Sequence, residues 1–281
     1  MWRIVRTAAQ LCYDACVRVA AALTVFLLWP LTAVAQDQLT EARRLYNTHQ
    51  YEEAERAARA ALAQTRSANS ARVVLARVLL ERYRQSSNEP QLVEARESLR
   101  AVNPTPLDSR ERVELMLGLG QALFLEDRFA AAAEVFEPIL DSAAALGAAP
   151  HDRALDWWAT AIDRHAATRP FTERAPIYER ITRRMTTELT RDPGCGSANY
   201  WLVAAAHGSG DLDRAWSTAQ ASWVRASFAG ARLTTTRADI DKVMVEGIIP
   251  ARAARIGGRE PNLVVAGMVA EWETFKSSWT R

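Results

Sequence analysis

Residues that could perform chemistry are few in this sequence of 281 residues, and they are scattered along it. Cys195 lies in the turn-forming segment 192–197, directly before a predicted helix, and the start of a helix can lower the pKa of a thiol. His207 is twelve residues further on, and no histidine stands in a motif that would serve Cys195 as a base. The sequence favours a simple turn residue at position 195. A thiol that cross-links two chains is the second interpretation, and a nucleophile is the third.

The histidines show no metal-binding pattern. None of the four belongs to the i, i+4 pair or the close His/Cys spacing that is typical of metal sites: His49, His151, His165 and His207. The glycine-rich segment 207–211 differs from a phosphate-binding loop, because no strand precedes it and no Lys-Ser/Thr pair follows it. We therefore expect no catalytic residue, no cofactor and no metal, and a protein that is not an enzyme.

The composition is that of a globular protein, with 49% hydrophobic and 24% charged residues, which excludes long disorder, a collagen-like fibre and a polytopic membrane protein. After residue 35 the chain has 32 basic and 32 acidic side chains. A body without net charge has no field that would attract nucleic acid or anionic lipid, so we expect neither as a partner. All but two of the basic residues are arginine, which indicates a GC-rich bacterial genome.

The first 35 residues have the features of an export signal. Three arginines precede an apolar run at 19–35, which ends in the small-x-small site Ala33-Val34-Ala35. The run is interrupted by Pro30 and is shorter than the roughly 20 residues of a stable membrane span. We expect a cleaved signal peptide (1–35) and a periplasmic or secreted protein. The alternative is an uncleaved segment that anchors the protein to the inner membrane, and membrane contact is expected only through this segment.

The rest of the chain is predicted to be helical and repetitive. From Gln38 onward Ala, Leu, Arg and Glu dominate, and short clusters of glycine and proline separate the predicted helices. One pattern of small and large residues occurs as Ala42-x-x-Leu45 followed by Tyr51-x-x-Ala54. It recurs as Gly120-x-x-Leu123 followed by Phe129-x-x-Ala132, and as Val203-x-x-Ala206 followed by Leu212-x-x-Ala215. Weaker copies lie at 75–99 and 155–181.

The small residues in this pattern indicate close packing between helices. Four of them are expected where the first helix of a hairpin crosses its own second helix: Ala42, Ala76, Gly120 and Ala159. Four others would let a second helix approach the next hairpin: Ala54, Ala95, Ala132 and Ala215. Three large residues would fill the turn end of their hairpins: Tyr51, Phe129 and Leu212.

These patterns resemble the tetratricopeptide repeat, a helix–turn–helix unit of 34 residues. Ala42 and Ala76 are 34 residues apart, whereas the later intervals are 39 to 44 residues, so the later units must contain inserted turns. The resemblance implies an all-α fold in which helical hairpins over residues 36–226 stack into a right-handed α-α superhelix, a solenoid. We expect Pro138 and Pro176 to bend second helices.

Residues 227–281 are predicted to form a C-terminal helical extension. Asp239 or Thr236 is expected to cap one helix, and Pro261 precedes another. The second helix has an apolar stripe with a spacing of three and four residues: Val264, Met268, Trp272, Phe275 and Trp279. This stripe predicts a cap over the open end of the solenoid. The alternative is a docking helix for a partner or a membrane surface, although its polar side is not basic.

The resemblance implies protein or peptide binding on a concave face that is lined by the first helices. The candidate binding residues lie on those helices, and we expect the polar ones to face away from the core: Arg43, Asn47, Arg72, Arg77, Gln121, Trp157, Asn199 and Tyr200. The expected function is a non-catalytic protein- or peptide-binding scaffold or adaptor of the bacterial cell envelope. The alternative is an envelope enzyme, or an obligate subunit of a larger complex, with the solenoid as its support. Function inferred from fold alone is analogy.

Overall fold

The computed structural model describes residues 38–256 and 260–279, so the expected signal peptide lies outside the described residues. In these two ranges the regular structure is helical and contains no β-strand, which confirms the all-α fold class. The α-helices are α1 (38–47), α2 (Tyr51–Leu62), α3 (Ala68–Ser86), α4 (Glu89–Arg100), α5 (Ser109–Leu125), α6 (Phe129–Phe136), α7 (Leu140–Ala143), α8 (Ala148–Ala167), α9 (Phe171–Arg191), α10 (Gly196–Gly208), α11 (Leu212–Arg225), α12 (Leu233–Val243), α13 (Ile249–Ile256) and α14 (Pro261–Trp279).

The helices pack mainly against their neighbours in sequence, within two compact units. The first unit ends at Gly118 and the second begins at Leu119, so the boundary falls inside α5. In the first unit α3 packs against both α2 and α4. In the second unit α10 packs against α9 and α11, and it also contacts α8 and α12. This pairing along the chain is the helical-hairpin arrangement that the sequence predicts.

Small residues stand where the helices approach closely, as expected. Ala42 and Ala76 of the first unit and Ala159 of the second have no solvent-accessible surface. Gly120 on α5 lies against the ring of Phe136 on α6, and a β-carbon at position 120 would lie 2.6 Å from Phe136 Cζ. The prediction that Gly120 occupies the crossing of a first helix with its own second helix is therefore confirmed.

Three hairpin turns share one backbone conformation. The residue two positions before the second helix's first large side chain has a positive φ: 62° at His49, 58° at Asp127 and 81° at Gly210. The large side chains that follow are Tyr51 and Leu212, which are buried, and Phe129, which is partly buried. In each hairpin a left-handed residue thus turns the chain so that the next large side chain covers the turn end.

Pro138 interrupts a second helix, as predicted. The α-helix α6 ends at Phe136, and a 3₁₀ turn at Glu137–Ile139 leads into the short helix α7. The chain changes helix type there because proline cannot donate the backbone hydrogen bond that an α-helix needs at this position. Pro176, by contrast, lies inside α9, which continues to Arg191.

The prediction that Thr236 or Asp239 caps α12 is wrong. The helix begins at Leu233, its N-cap residue is Arg232, and no side chain caps it, so both Thr236 and Asp239 lie inside the helix. The cause is the entry into the helix: two 3₁₀ turns, at Ala226–Phe228 and Gly230–Arg232, bring the chain into helical geometry before either residue is reached. Pro261 is the first residue of α14, as expected.

The apolar stripe of α14 packs into the core of the second unit. Trp272 is fully buried, and its ring centroid lies 5.5 Å from that of Trp223 in an edge-to-face arrangement. Phe275 stacks on Trp272 at 5.5 Å, and Met268 packs against the same cluster. Only the end of the stripe is open, since Trp279 is 53% exposed. The packing agrees with a helix that covers a core, as the favoured interpretation expects.

Candidate functional site

A groove of about 880 Å³ lies on the second unit. Its residues come from α8, from α10, and from α12 with Arg232 before it and the π-helical segment Met244–Ile248 after it. Both α8 and α10 are first helices of their hairpins, so the groove occupies the kind of face that the resemblance assigns to binding. The volume lies within the roughly 300–1,000 Å³ range that is typical of ligand sites.

One wall of the groove is a row of carboxylates on α8. Asp152, Asp156 and Asp163 share one face because their spacing follows the helical repeat. Asp156 Oδ1 accepts a hydrogen bond from Trp201 Nε1 at 2.9 Å, and Asp163 Oδ1 accepts one from the Tyr178 hydroxyl at 2.7 Å. These donors orient the two carboxylates.

Asp152 is held differently, by a positive charge. Its Oδ2 accepts a hydrogen bond from Arg232 Nη1 at 2.6 Å, and its Oδ1 accepts one from the backbone N–H of Ser197 at 3.2 Å. Asp152 therefore ties two elements to α8: the start of α12 through Arg232 and the start of α10 through Ser197.

Tyr200 stands among the remaining carboxylates. Its ring packs edge-to-face on Trp201 with the centroids 5.1 Å apart. Burial raises the pKa of Tyr200, and the nearby charges of Asp163, Asp156 and Asp239 raise it further. Burial also raises the pKa of Asp239, against the opposing effect of Lys242. Tyr200 thus stays a neutral hydroxyl at physiological pH, able to donate or to accept a hydrogen bond.

His207 forms part of the opposite end of the groove. Its ring packs against the backbone of Gly247, where an added β-carbon would lie 3.0 Å from Cε1. Burial lowers the pKa of His207, against the opposing charge of Asp163, so the imidazole is neutral at pH 7. In the part of the chain that the structure describes, no group of three or more His, Cys, Asp and Glu side chains could hold a metal ion.

Cys195 is a buried thiol next to the groove. Its Sγ lies 3.5 Å from Asp152 Oδ1, and only 6% of the residue is exposed. Burial raises the pKa of Cys195 to about 12, and the charge of Asp152 adds to this shift. A nucleophile must be a thiolate, and a cross-linking thiol must be reachable. The structure therefore contradicts both alternatives for Cys195 and supports the turn residue.

Two of the predicted binding residues are buried in the second unit. Asn199 is fully buried and Gln121 is 4% exposed, so the expectation that they face away from the core is wrong. Asn199 Nδ2 donates to the carbonyls of Pro193 and Cys195 at 2.9 and 3.0 Å, and its Oδ1 accepts from Arg225 Nε at 2.9 Å. A polar side chain is tolerated there because it satisfies backbone groups at the start of α10.

The two predicted aromatic residues have different surroundings. Tyr200 lines the groove, as predicted. Trp157 is partly buried, and its ring lies edge-to-face on that of Phe124 with the centroids 4.9 Å apart, so it packs within the second unit. The carboxylates of α8 were not predicted from the sequence, although the spacing of Asp152, Asp156 and Asp163 was the signal that could have revealed them.

The corresponding face of the first unit is filled by its own side chains. Arg43 Nη2 pairs with Glu111 Oε1 at 2.8 Å and lies 3.7 Å from Glu114 Oε2. The Arg77 guanidinium lies 4.5 Å from the centroid of the Tyr46 ring and donates to its hydroxyl at 3.1 Å. The cavity between these side chains measures about 10 Å³. Arg43 and Arg77 are partly buried, and both line this small cavity, where they make contacts within the unit.

Of the last two candidates of the first unit, the structure brings one together with Arg43 and Arg77. Asn47 is exposed and lines the same small cavity, whereas Arg72 does not line it and is partly buried with a 3.4 Å contact to Asn69 Oδ1. Among the eight predicted binding residues, only Tyr200 lines the large groove of the second unit.

Across residues 38–256 and 260–279, none of the helices combines the length and the apolar character that crossing a bilayer requires. Comparison with models of protein families, with curated proteins and with solved structures gives no match. We therefore infer the function of the protein from the geometry of the groove.

Proposed function

We propose that this protein is a non-catalytic scaffold of the bacterial cell envelope that binds a peptide, or a segment of a partner protein, in the groove of the second unit. The observation that carries the proposal is the groove itself: about 880 Å³ of open space on the first helices α8 and α10, whereas the corresponding face of the first unit is filled. The tetratricopeptide-like interpretation and the envelope location belong to the same proposal. They are supported by the repeated hairpin pattern and by the signal-like segment 1–35.

The chemistry of the groove suits a polypeptide. A peptide presents backbone donors and acceptors at regular intervals. The Tyr200 hydroxyl can serve both kinds of group, whereas Thr160 and Ser197 donate to the carbonyls of Asp156 and Asp152 and can accept from a peptide N–H. It also presents both signs of charge, with Asp156 on α8 and Lys242 on α12. A surface of mixed charge favours a polypeptide partner over nucleic acid, which requires a predominantly basic surface.

An envelope enzyme that uses Cys195 is disfavoured by the same structure. The thiol is buried, its pKa is raised, and its nearest charged neighbour is the carboxylate of Asp152. An anionic neighbour opposes the formation of a thiolate, which is the opposite of what a nucleophile needs.

The proposal is tested by filling the groove. Thr235 lines it and has an exposed side chain, whereas the adjacent Thr234 is exposed outside it. A photo-crosslinking residue at position 200 should capture a partner in the native bacterium. Thr235→Trp should lower the yield of that product about tenfold or more, since a large side chain occupies the binding volume. Thr234→Trp is the matched control and should leave the yield unchanged.

Two results would contradict the proposal. One is a crosslink yield that Thr235→Trp does not change. The other is an equal yield from a crosslinker at Arg183, which is exposed on α9 and does not line the groove.

A further inference from the structure

A second concave site lies on the other helices of the second unit. It measures about 510 Å³ and is formed mainly by α9 and α11, and it shares no lining residue with the groove. Three apolar residues line it, together with two arginines and four residues that carry hydroxyl groups. The six polar residues are Arg214, Arg225, Thr186, Thr190, Ser217 and Thr218. No carboxylate is among its lining residues, all of which belong to the described chain. The site is therefore positively charged.

Arg225 is the unusual member of this site. It is partly buried, and its Nε and Nη2 donate to Asn199 Oδ1 at 2.9 Å and to Ser222 Oγ at 3.0 Å. Both acceptors are neutral, and within the described chain no carboxylate pairs with Arg225. Arg252 in the same unit, by contrast, pairs with Asp213 at 2.9 Å. Burial lowers the pKa of Arg225, which reflects a charge without a counter-ion.

Arg214 adds a second positive charge on the same helix face. Positions 214, 218, 221 and 225 of α11 are spaced by four, three and four residues, so they form one stripe. Within the described residues Arg214 makes no ion pair, and the hydroxyl of Thr218 makes no hydrogen bond. Both arginines therefore have donors to offer to a ligand.

The distance between the two arginines constrains the ligand. Eleven residues of α-helix separate their Cα atoms by roughly 16 Å along the axis, at 1.5 Å per residue. Because the Cα atoms are this far apart and the Arg225 guanidinium is held by Asn199 and Ser222, the stripe favours a ligand with two anionic groups over a single small anion. An extended polypeptide rises about 3.3 Å per residue and alternates its side chains between two faces, so carboxylates four residues apart share one face at roughly 13 Å, within reach of the two flexible arginine side chains. Its backbone can bond to Thr218 between the arginines.

We infer that the depression between α9 and α11 is a second binding site, which takes an extended acidic segment of polypeptide with carboxylates that pair with Arg214 and Arg225. The proposed scaffold would then hold two different polypeptide segments, one in the groove and one in this site. The second site does not depend on the groove, because the two share no residue.

The site is tested with labelled hexaglutamate as the probe and fluorescence anisotropy as the measurement. The protein should bind hexaglutamate saturably and hexaglutamine not at all. Arg214→Gln should weaken binding about two- to fivefold, the range of an exposed ion pair. Arg225→Gln should weaken it about tenfold, because a partly buried charge makes stronger hydrogen bonds. Arg183→Gln on α9 removes the same charge outside the site and should have no effect.

Several outcomes separate this inference from its alternatives. Arg225 also bonds to Asn199 and Ser222, so its replacement can affect folding as well as binding. A melting curve of each variant, with Arg225→Lys as the variant that keeps the charge, distinguishes lost binding from lost folding. Arg214→Gln alters only an exposed side chain. Absence of saturable binding overturns the inference, as does an equal effect of Arg183→Gln. Inorganic phosphate that displaces the peptide at equal concentration indicates a site for a single anion and also overturns it. Thr235→Trp should leave hexaglutamate binding unchanged, so failure of one site does not imply failure of the other.

Discussion

Gly120 on α5 lies directly against the aromatic ring of Phe136 on α6, and no β-carbon fits between them. This contact fixes how closely the two helices of one hairpin approach each other, and Phe136 is fully buried at that point. The stability of the hairpin therefore depends on the absence of a side chain at position 120.

Gly120→Ala is expected to destabilise the protein by about 1–3 kcal/mol, because the new methyl group must push the ring of Phe136 out of its place. Gly267→Ala is the matched control, since no atom lies within 4 Å of a β-carbon at that helical position. It should stabilise the protein by roughly 0.5–1 kcal/mol through helix propensity alone. Denaturant unfolding measures both changes. Equal effects of the two variants would mean that Gly120 is not a close-packing residue.

Cys195 is expected to resist alkylation in the folded protein. With a pKa of about 12, only about one thiol in ten thousand is ionised at pH 8, and the side chain is also covered. The measurement is the rate of reaction with a thiol reagent, on a chain that begins at residue 36 and so lacks Cys12 and Cys16. The rate should rise steeply in denaturant. Rapid reaction under native conditions would restore the reactive-thiol interpretation.

Trp272 is expected to be a core residue of the second unit, and Trp279 is expected not to be. Trp272→Ala should cost about 3–5 kcal/mol, because it removes a fully buried ring that contacts Trp223 and Phe275. Trp279→Ala changes a side chain that is 53% exposed and should alter the unfolding free energy by less than about 0.5 kcal/mol. If Trp272→Ala kept full stability and lost only association with a partner, α14 would be a docking helix.

Protonation of His207 is expected to weaken the fold as the pH falls. Its pKa is lowered by burial from the ordinary value of 6.5, so the unfolded chain binds the proton at a higher pH than the folded protein does. The stability that comes from neutral His207 is fully present above pH 6.5 and is lost as the pH falls toward the lowered pKa. The melting temperature should therefore drop less between about pH 7.5 and about pH 5.5 in His207→Gln than in the original protein. An identical drop in both would show that His207 is not the group responsible.

The helical pairing and its small residues were predictable because they depend on local patterns. Helix propensity depends on the residues of one segment, and the roles of Ala42, Gly120 and Pro138 follow from neighbours a few residues away in the sequence. Asn199 was not predictable in the same way, since a polar residue on a helix is exposed by default and its partners lie in the turn before α10 and on α11. The start of α12 depended on the 3₁₀ turns before it, which have no clear sequence signal.

The candidate groove was predictable only in its location. The resemblance predicts that the first helices line one face, but whether that face is open or filled depends on tertiary pairs. Arg43 has Glu111 opposite it in the first unit, and the two fill their face, although they are far apart in sequence. No rule of helical spacing predicts such a pair, so the sequence could not show which unit keeps an open groove.

The three hairpin turns have a wider implication for recognising such units. His49, Asp127 and Gly210 adopt one left-handed torsion, and only one of them is glycine. A sequence pattern that requires glycine at this position would therefore find only the turn at Gly210. A pattern based on backbone torsion angles would find all three turns.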